Sequence, residues 1–191
     1  IFKMEGGEAV CAQRFSVADG GWLEVMPEPL VPHRDSSYRQ LTSVELAGTG
    51  ELFFVDQLAA GRIAHGEAWD WDRLCFTLNI RQDGKLLLRE RFDQRGEELR
   101  ELARLCGSGP TACFANAVLI SKASETEPSW KPAISALHGE GLWLGVSALQ
   151  SGGWSLKLVA VDSIHLRRGL REVRRILSAF FPHLACDPRK L

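Results

Sequence analysis

The sequence predicts a mainly β protein of stacked or sandwiched sheets, with two or three α-helices near the C-terminal half. Three observations predict it. Apolar and polar residues alternate with period two along most of the chain, between turn signals about every 8–12 residues, the pattern of half-buried strands. The run Leu52-Phe53-Phe54-Val55 is apolar at successive positions, so its strand is covered on both faces. Helical spacing of apolar residues enters only after the Asp83-Gly84 turn and is clearest near the end of the chain.

The elements follow in order. Ala9 to Phe15 reads as a strand, Asp19-Gly20-Gly21 as a turn, and Trp22 to Met26 as the next strand. Pro27 to Pro32 holds three prolines, which remove three backbone donors, so this segment belongs along a sheet edge. Ser37 to Leu46 and Glu51 to Leu58 flank Gly48-Thr49-Gly50 and read as an antiparallel hairpin. Leu74, Phe76, Leu78 and Ile80 line one face of a further strand, with Cys75, Thr77 and Asn79 on the other. Asp83-Gly84 supplies the positive φ values of a type I′ turn, so Lys85 to Phe92 pairs back on that strand.

Gly96 to Cys106 places Leu99, Leu102, Ala103 and Cys106 on one helical face, with Glu97 and Glu98 in the first turn, Arg104 in the last and Gly107 to end it. Thr111 to Ser121 returns to alternation, and Pro132 to His138 suggests a short helix with proline in its first turn. Leu142 to Leu149 and Trp154 to Val161 form a hairpin around Ser151-Gly152-Gly153. Asp162 or Ser163 can cap the last helix, along which Leu166, Leu170, Val173, Leu177 and Phe180 recur until Pro182.

Composition bounds the function. The 191 residues suffice for one sizeable core and do not call for two domains. A hydrophobic share of 45% with 25% charged residues is that of an ordinary soluble globular protein. A net charge of −1 argues against a chain whose main partner is the nucleic-acid backbone. No apolar run reaches the length of a membrane span, and no secretory leader is evident, so the expected compartment is the cytosol. The five cysteines are odd in number and include no CxxC pair, which reads as free thiols rather than disulfides or a zinc site.

Few residues offer chemistry. His65 and Glu67, two apart on a strand, would share a face and present an imidazole and a carboxylate suited to nickel or zinc, though two ligands hold a metal only weakly. The competing reading buries Glu67 among hydrogen-bond donors and leaves His65 at the surface. The His-x-Glu pattern lacks the Pro-Cys-x-x-Cys half of the zinc deaminase signature. Arg62 and Glu67 can form a bidentate pair that fixes a bend, or the polar wall of an internal passage. Trp69 and Trp71 can stack on sugars or bases, or anchor the core. His33-Arg34-Asp35 reads as a polar turn. Arg167, Arg168, Arg171, Arg174 and Arg175 against Glu172 make the last helix basic, either a solvated face or a docking surface for an acidic partner or, as the lesser alternative, RNA. The loop from Gly107 to Thr111 lacks the Gly-Lys-Ser/Thr of a phosphate loop, and no Gly-x-Ser-x-Gly elbow is present. Nothing asks to be an enzyme.

The stretch Gly61-Arg62-x-Ala64-x-Gly66-Glu67-Ala68-Trp69 resembles the GRxAxGE motif of the UreD (UreH) family. Pro27-Glu28-Pro29 with Pro32, Tyr38-Arg39-Gln40, Asp83 through Glu90, and Pro188-Arg189-Lys190 resemble further stretches of that family in the same order. The resemblance implies a β-helix-like stack of strands flanked by helices, lacking the β-rich region with which the family domain opens. It implies a nickel-insertion chaperone that scaffolds apo-urease with UreF and UreG, handling nickel transiently and making no bonds itself. Gly61, Arg62, Gly66 and Glu67 would be motif or passage-lining residues. With the residue reading above, His65 and Glu67 would be weak metal ligands, and the resemblance favours Arg167, Arg171 and Arg174 as partner-binding residues. No nucleic-acid or membrane partner is expected. The rival readings are a carbohydrate- or nucleic-acid-binding β module built on Trp69, Trp71 and the arginine helix, and a metal-dependent hydrolase at His65 and Glu67.

Overall fold

In a computed structural model, which describes residues 6–105, 109, 111–122 and 128–186, the chain lays its strands alternately into two facing sheets. Strand β1 (Glu8–Val17) enters the first sheet and β2 (Trp22–Val25) the second. β3 (Ser37–Leu46) returns to the first and β4 (Glu51–Ala59) to the second. β5 (Gly61–Arg62) and β6 (Glu67–Ala68) make a small ribbon of their own, after which β7 (Arg73–Gln82) rejoins the first sheet. Neighbours built this way run parallel: β1 beside β3, β3 beside β7, and β2 beside β4.

The second half closes the stack with antiparallel pairs. β8 (Lys85–Gln94) folds back on β7 through Asp83 and Gly84, at φ 49° and 79°. Helix α1 (Gly96–Leu105) crosses to β9 (Cys113–Ile120), which pairs with β4. Helix α2 (Lys131–Ser135), the hairpin β10 (Leu142–Ala148) and β11 (Trp154–Ala160), and helix α3 (Ser163–Ser178) complete the fold. The sheets are ordered β1-β3-β7-β8 and β10-β11-β9-β4-β2. Cys106, Gly107 and the Pro188-Arg189-Lys190 stretch lie outside the described residues.

The expected mainly β, stacked-sheet architecture with three helices in the C-terminal half is what the structure shows. The hairpin expected around Gly48-Thr49-Gly50 is not. β3 and β4 lie in different sheets, so this turn rounds a corner. Period-two alternation identifies a strand and its faces but says nothing about its partner. The corner is held by neighbouring turns: Asp19 Oδ1 accepts from Thr49 N (2.7 Å) and Thr49 Oγ1 (2.8 Å), and Asp83 Oδ1 accepts from Gly48 N (2.9 Å). Successive coils therefore stack turn upon turn as well as strand upon strand.

β4 is covered on both faces, as its apolar run requires. Phe53 and Val55 face α2 and α3 together with Trp130, Ile134, Leu166, Val173 and Leu177, while Leu52 and Phe54 face the first sheet together with Val44, Leu78 and Ile80. The proline segment runs along the β4 edge, where Leu30 N donates to Gln57 O and Leu30 O accepts from Ala59 N, each at 2.9 Å. In α3 the buried stripe is Leu166, Leu170, Val173 and Leu177; Phe180 is exposed and Phe181 takes the buried place, because the helix ends at Ser178, short of Pro182. Asp162 caps α3, its Oδ1 accepting from Ile164 N and His165 N at 2.8 Å. Asp162→Ala is expected to lower stability by about 1 kcal/mol, read from chemical denaturation.

Candidate functional site

Two polar assemblies stand out. The first is the corner from Gly61 to Trp71. Gly61 has φ 129°, and a β-carbon there would lie 2.3 Å from the Glu67 carbonyl oxygen, so only glycine lets β5 and β6 pair this closely. Ile63–His65 form a single 3₁₀ turn, and Gly66 closes it at φ 68°. The ribbon brings Arg62 onto Glu67 as a bidentate pair, Nε to Oε2 at 2.8 Å and Nη2 to Oε1 at 2.5 Å. Arg34 latches the proline segment to the same corner. Its backbone N–H donates to Glu67 Oε2 (3.3 Å), its Nη2 to the Gly66 carbonyl (3.3 Å), and its guanidinium to Asp70 Oδ2 (3.0 Å).

The Arg62 hydrogen bonds, joined by the Arg34 backbone donor, hold the Glu67 carboxyl down at about 2. A carboxylate with a lowered folded value contributes stability above its ordinary 4.5 and loses it as pH falls toward 2. Glu67→Gln is therefore expected to melt below the unsubstituted chain at pH 7, with the gap narrowing through that window. A gap independent of pH would show that packing, not charge, holds the corner.

The second assembly lies between the sheets. Inward-facing polar residues form one stratum across the sandwich, with apolar clusters on either side of it along the strands. From the β1 edge, Gln13 Oε1 accepts from Thr42 Oγ1 (3.2 Å), and Gln40 Nε2 approaches Thr42 Oγ1 (3.4 Å) and donates to Asp56 Oδ1 (3.2 Å). Tyr38 donates its hydroxyl to Gln40 Oε1 at 3.1 Å. Asp56 neighbours Asn116 across β4 and β9. Asn116 and Lys157 both donate to Glu90, and Lys157 also donates to Asn116 Oδ1 at 2.7 Å. Burial pushes the Asp56 carboxyl up to about 6; the Glu90 charge adds to this and the Gln40 hydrogen bond opposes it.

The structure redistributes the residues singled out in the sequence. Gly61, Arg62, Gly66 and Glu67 do come together, as a clasped bend. His65 is exposed on the 3₁₀ turn, so the shared strand face proposed for His65 and Glu67 does not exist, and Glu67 is committed to Arg62. No group of three or more His, Cys, Asp and Glu side chains suited to a metal ion occurs among the described residues. Trp69 and Trp71 are each only 4% exposed and pack on each other with ring centroids 5.3 Å apart, which makes them core anchors rather than a stacking platform. Arg174 is not on the outer face of α3. It clasps Glu24 of β2 with Nε–Oε1 at 2.8 Å and Nη2–Oε2 at 3.0 Å and also donates to the Cys186 carbonyl. Arg167, Arg168 and Arg171 are exposed, with no acidic partner among the described residues. The polar stratum went unread in the sequence, although Asp56 interrupts the apolar run Leu52-Phe53-Phe54-Val55 and Leu58 at an inward position.

Coiled parallel strands, a clasped glycine-arginine-glutamate corner and a polar stratum inside the sandwich define a coiled-β sandwich protein. The chain belongs to the UreD family. The sequence model described as UreD urease accessory protein matches residues 1–190. Urease accessory protein UreD of Opitutus terrae is 57% identical over 191 residues, covering 100% of this chain and 70% of that protein. UreD of Ruegeria sp. is 31% identical over 165 residues, covering 82% of this chain and 54% of that protein. UreD 2 of Brucella ovis is 25% identical over 181 residues, covering 91% and 59%. The chain is thus shorter than each of these relatives. No described helix is long and apolar enough to cross a membrane.

Proposed function

We propose that this chain acts in nickel insertion into urease, scaffolding apo-urease with UreF and UreG in the cytosol, and that nickel, its cargo, crosses the protein along the polar stratum. The observation that carries this reading is the continuity of the stratum. Polar side chains follow one another from Gln13 on the edge strand β1 to the exposed Lys157, between two apolar clusters. Carboxylate and amide oxygens of Asp56, Glu90, Gln40 and Asn116 are acceptable donors to a divalent ion but soft-ligand-poor, so they favour passage over retention. Exposed His65 would take the ion only at the surface, and Arg167 and Arg171 remain available to a partner. Making no bonds itself, the chain needs no nucleophile or acid–base pair.

Co-expression with apo-urease, UreF and UreG, followed by size-exclusion chromatography and nickel analysis of the urease, tests this. Glu90→Gln and Asp56→Asn are expected to leave the complex intact and to lower urease nickel several-fold. An intact complex with undiminished nickel would refute the route through the stratum. Failure of the unsubstituted chain to co-elute with any of the three would refute the accessory role itself.

A further inference from the structure

We infer that the open face of the first sheet is a docking surface for a protein partner that presents carboxylates around an apolar centre. Helices α2 and α3 pack on the second sheet, and among the described residues no helix covers the outer face of the first. Strand registers place on that face Glu8, Val10 and Arg14 of β1, Arg39, Leu41 and Glu45 of β3, Arg73, Asn79 and Arg81 of β7, and Leu86, Arg89, Arg91 and Asp93 of β8. Six arginines thus stand against three carboxylates, on a chain whose net charge is −1. Positive charge is concentrated here at the expense of the remaining surface.

The guanidinium groups are held ready. Arg73 grips Asp93 with two hydrogen bonds of 2.7 Å, Arg91 reaches the same carboxylate at 2.7 Å, Arg39 pairs with Glu8 at 2.9 Å, and Arg89 donates to Asn79 at 2.9 Å. Arg14 is exposed, with no carboxylate beside it among the described residues. Between them Val10, Leu41 and Leu86 are 60%, 43% and 40% exposed. Arginine without lysine, interleaved with exposed aliphatic side chains, is the composition of a protein interface. A nucleic-acid groove would carry a larger positive excess and aromatic platforms in place of the aliphatic trio. Four strands of ten residues offer about 600 Å² from strand spacing and rise, slightly less than the ~800 Å² per partner of a standard stable interface, which suits a contact that is made and released.

The test uses the whole chain with three probes: apo-urease, UreF and a single-stranded oligonucleotide. Arg14→Glu combined with Arg89→Glu reverses two exposed charges, Leu41→Ser removes a central apolar contact, and Arg100→Glu on α1 serves as a control. A thermal melt establishes that each variant is folded. The double reversal is expected to weaken binding of at least one protein probe about tenfold and to reduce its salt dependence, Leu41→Ser to weaken the same probe, and the control to leave it unchanged. Protein binding that is indifferent to these changes overturns the inference while leaving the accessory role standing. So does a response confined to the oligonucleotide. If neither protein binds the unsubstituted chain, both readings fall.

Discussion

A chain with alanine at Gly61 is expected to lose about 3 kcal/mol of stability and to melt roughly 10 °C lower. Two effects add. A side chain at φ 129° carries backbone strain of about 1–3 kcal/mol, and its β-carbon would sit 2.3 Å from the Glu67 carbonyl, which is backbone and cannot swing aside. Relieving the contact pulls β6 from β5 and carries Glu67 off Arg62. It also pulls Trp69, whose N–H donates to the Ala60 carbonyl at 2.8 Å, out of the cluster with Trp71, Leu74 and Leu99. Gly66→Ala is the matched comparison. At φ 68° with nothing within 4 Å of the added carbon, it carries only left-handed strain, about 1 kcal/mol. Thermal unfolding of both variants, followed by tryptophan fluorescence, checks the pair. Equal losses would mean that the close approach at Gly61 relaxes freely and that the glycine answers to backbone conformation alone.

Asp56→Asn is expected to act in the opposite direction, stabilising the protein by roughly 3 kcal/mol at pH 8 and by almost nothing at pH 4. The folded carboxyl titrates near 6 against an ordinary 3.8, so the unfolded chain releases this proton first as pH rises. Below 3.8 both states hold the proton and the group is silent. Between 3.8 and 6 the folded state pays increasingly for either keeping the proton or burying the charge, and above 6 the cost is constant. Asparagine stands in for the protonated acid at every pH and retains an oxygen for Gln40. Urea denaturation of both chains at several pH values checks the crossover. A difference that does not change with pH would show that Asp56 reaches water and titrates normally. If the stabilised variant also delivers less nickel, the buried carboxylate is retained at the expense of stability because transport needs it.

Much of the fold was legible because strands announce themselves locally. The turn at Asp83-Gly84, the doubly covered Leu52-Phe53-Phe54-Val55 run, the edge-lying prolines and the Asp162 cap each follow from a few adjacent residues. Pairing did not, because Gly48-Thr49-Gly50 can equally close a hairpin or round a corner; the corner wins through carboxylates supplied by Asp19 and Asp83 from neighbouring coils. The candidate site divides the same way. Arg62 and Glu67 are near in sequence and their pairing could be anticipated. The stratum draws on Gln13, Gln40, Asp56, Glu90, Asn116 and Lys157 from six different strands, with Tyr38 and Thr42 beside Gln40, and it exists only once the two sheets face each other. Arg174 misled for a related reason: helical spacing set it near the polar face, but Glu24 from β2 lies within its reach.

The alternation of strands between sheets also governs how the molecule must assemble. Glu8 pairs with Ser37 and Ser37 with Arg73, so no parallel neighbour is available until a whole coil has been laid down. Contacts of such high order make for a late, entropically costly transition state and folding in the slow range for a single domain. The β7–β8 hairpin, closed locally by Asp83-Gly84, is the natural nucleus on which β3 and then β1 would dock. Substitutions in that turn should slow folding, whereas substitutions along β1 should mainly hasten unfolding.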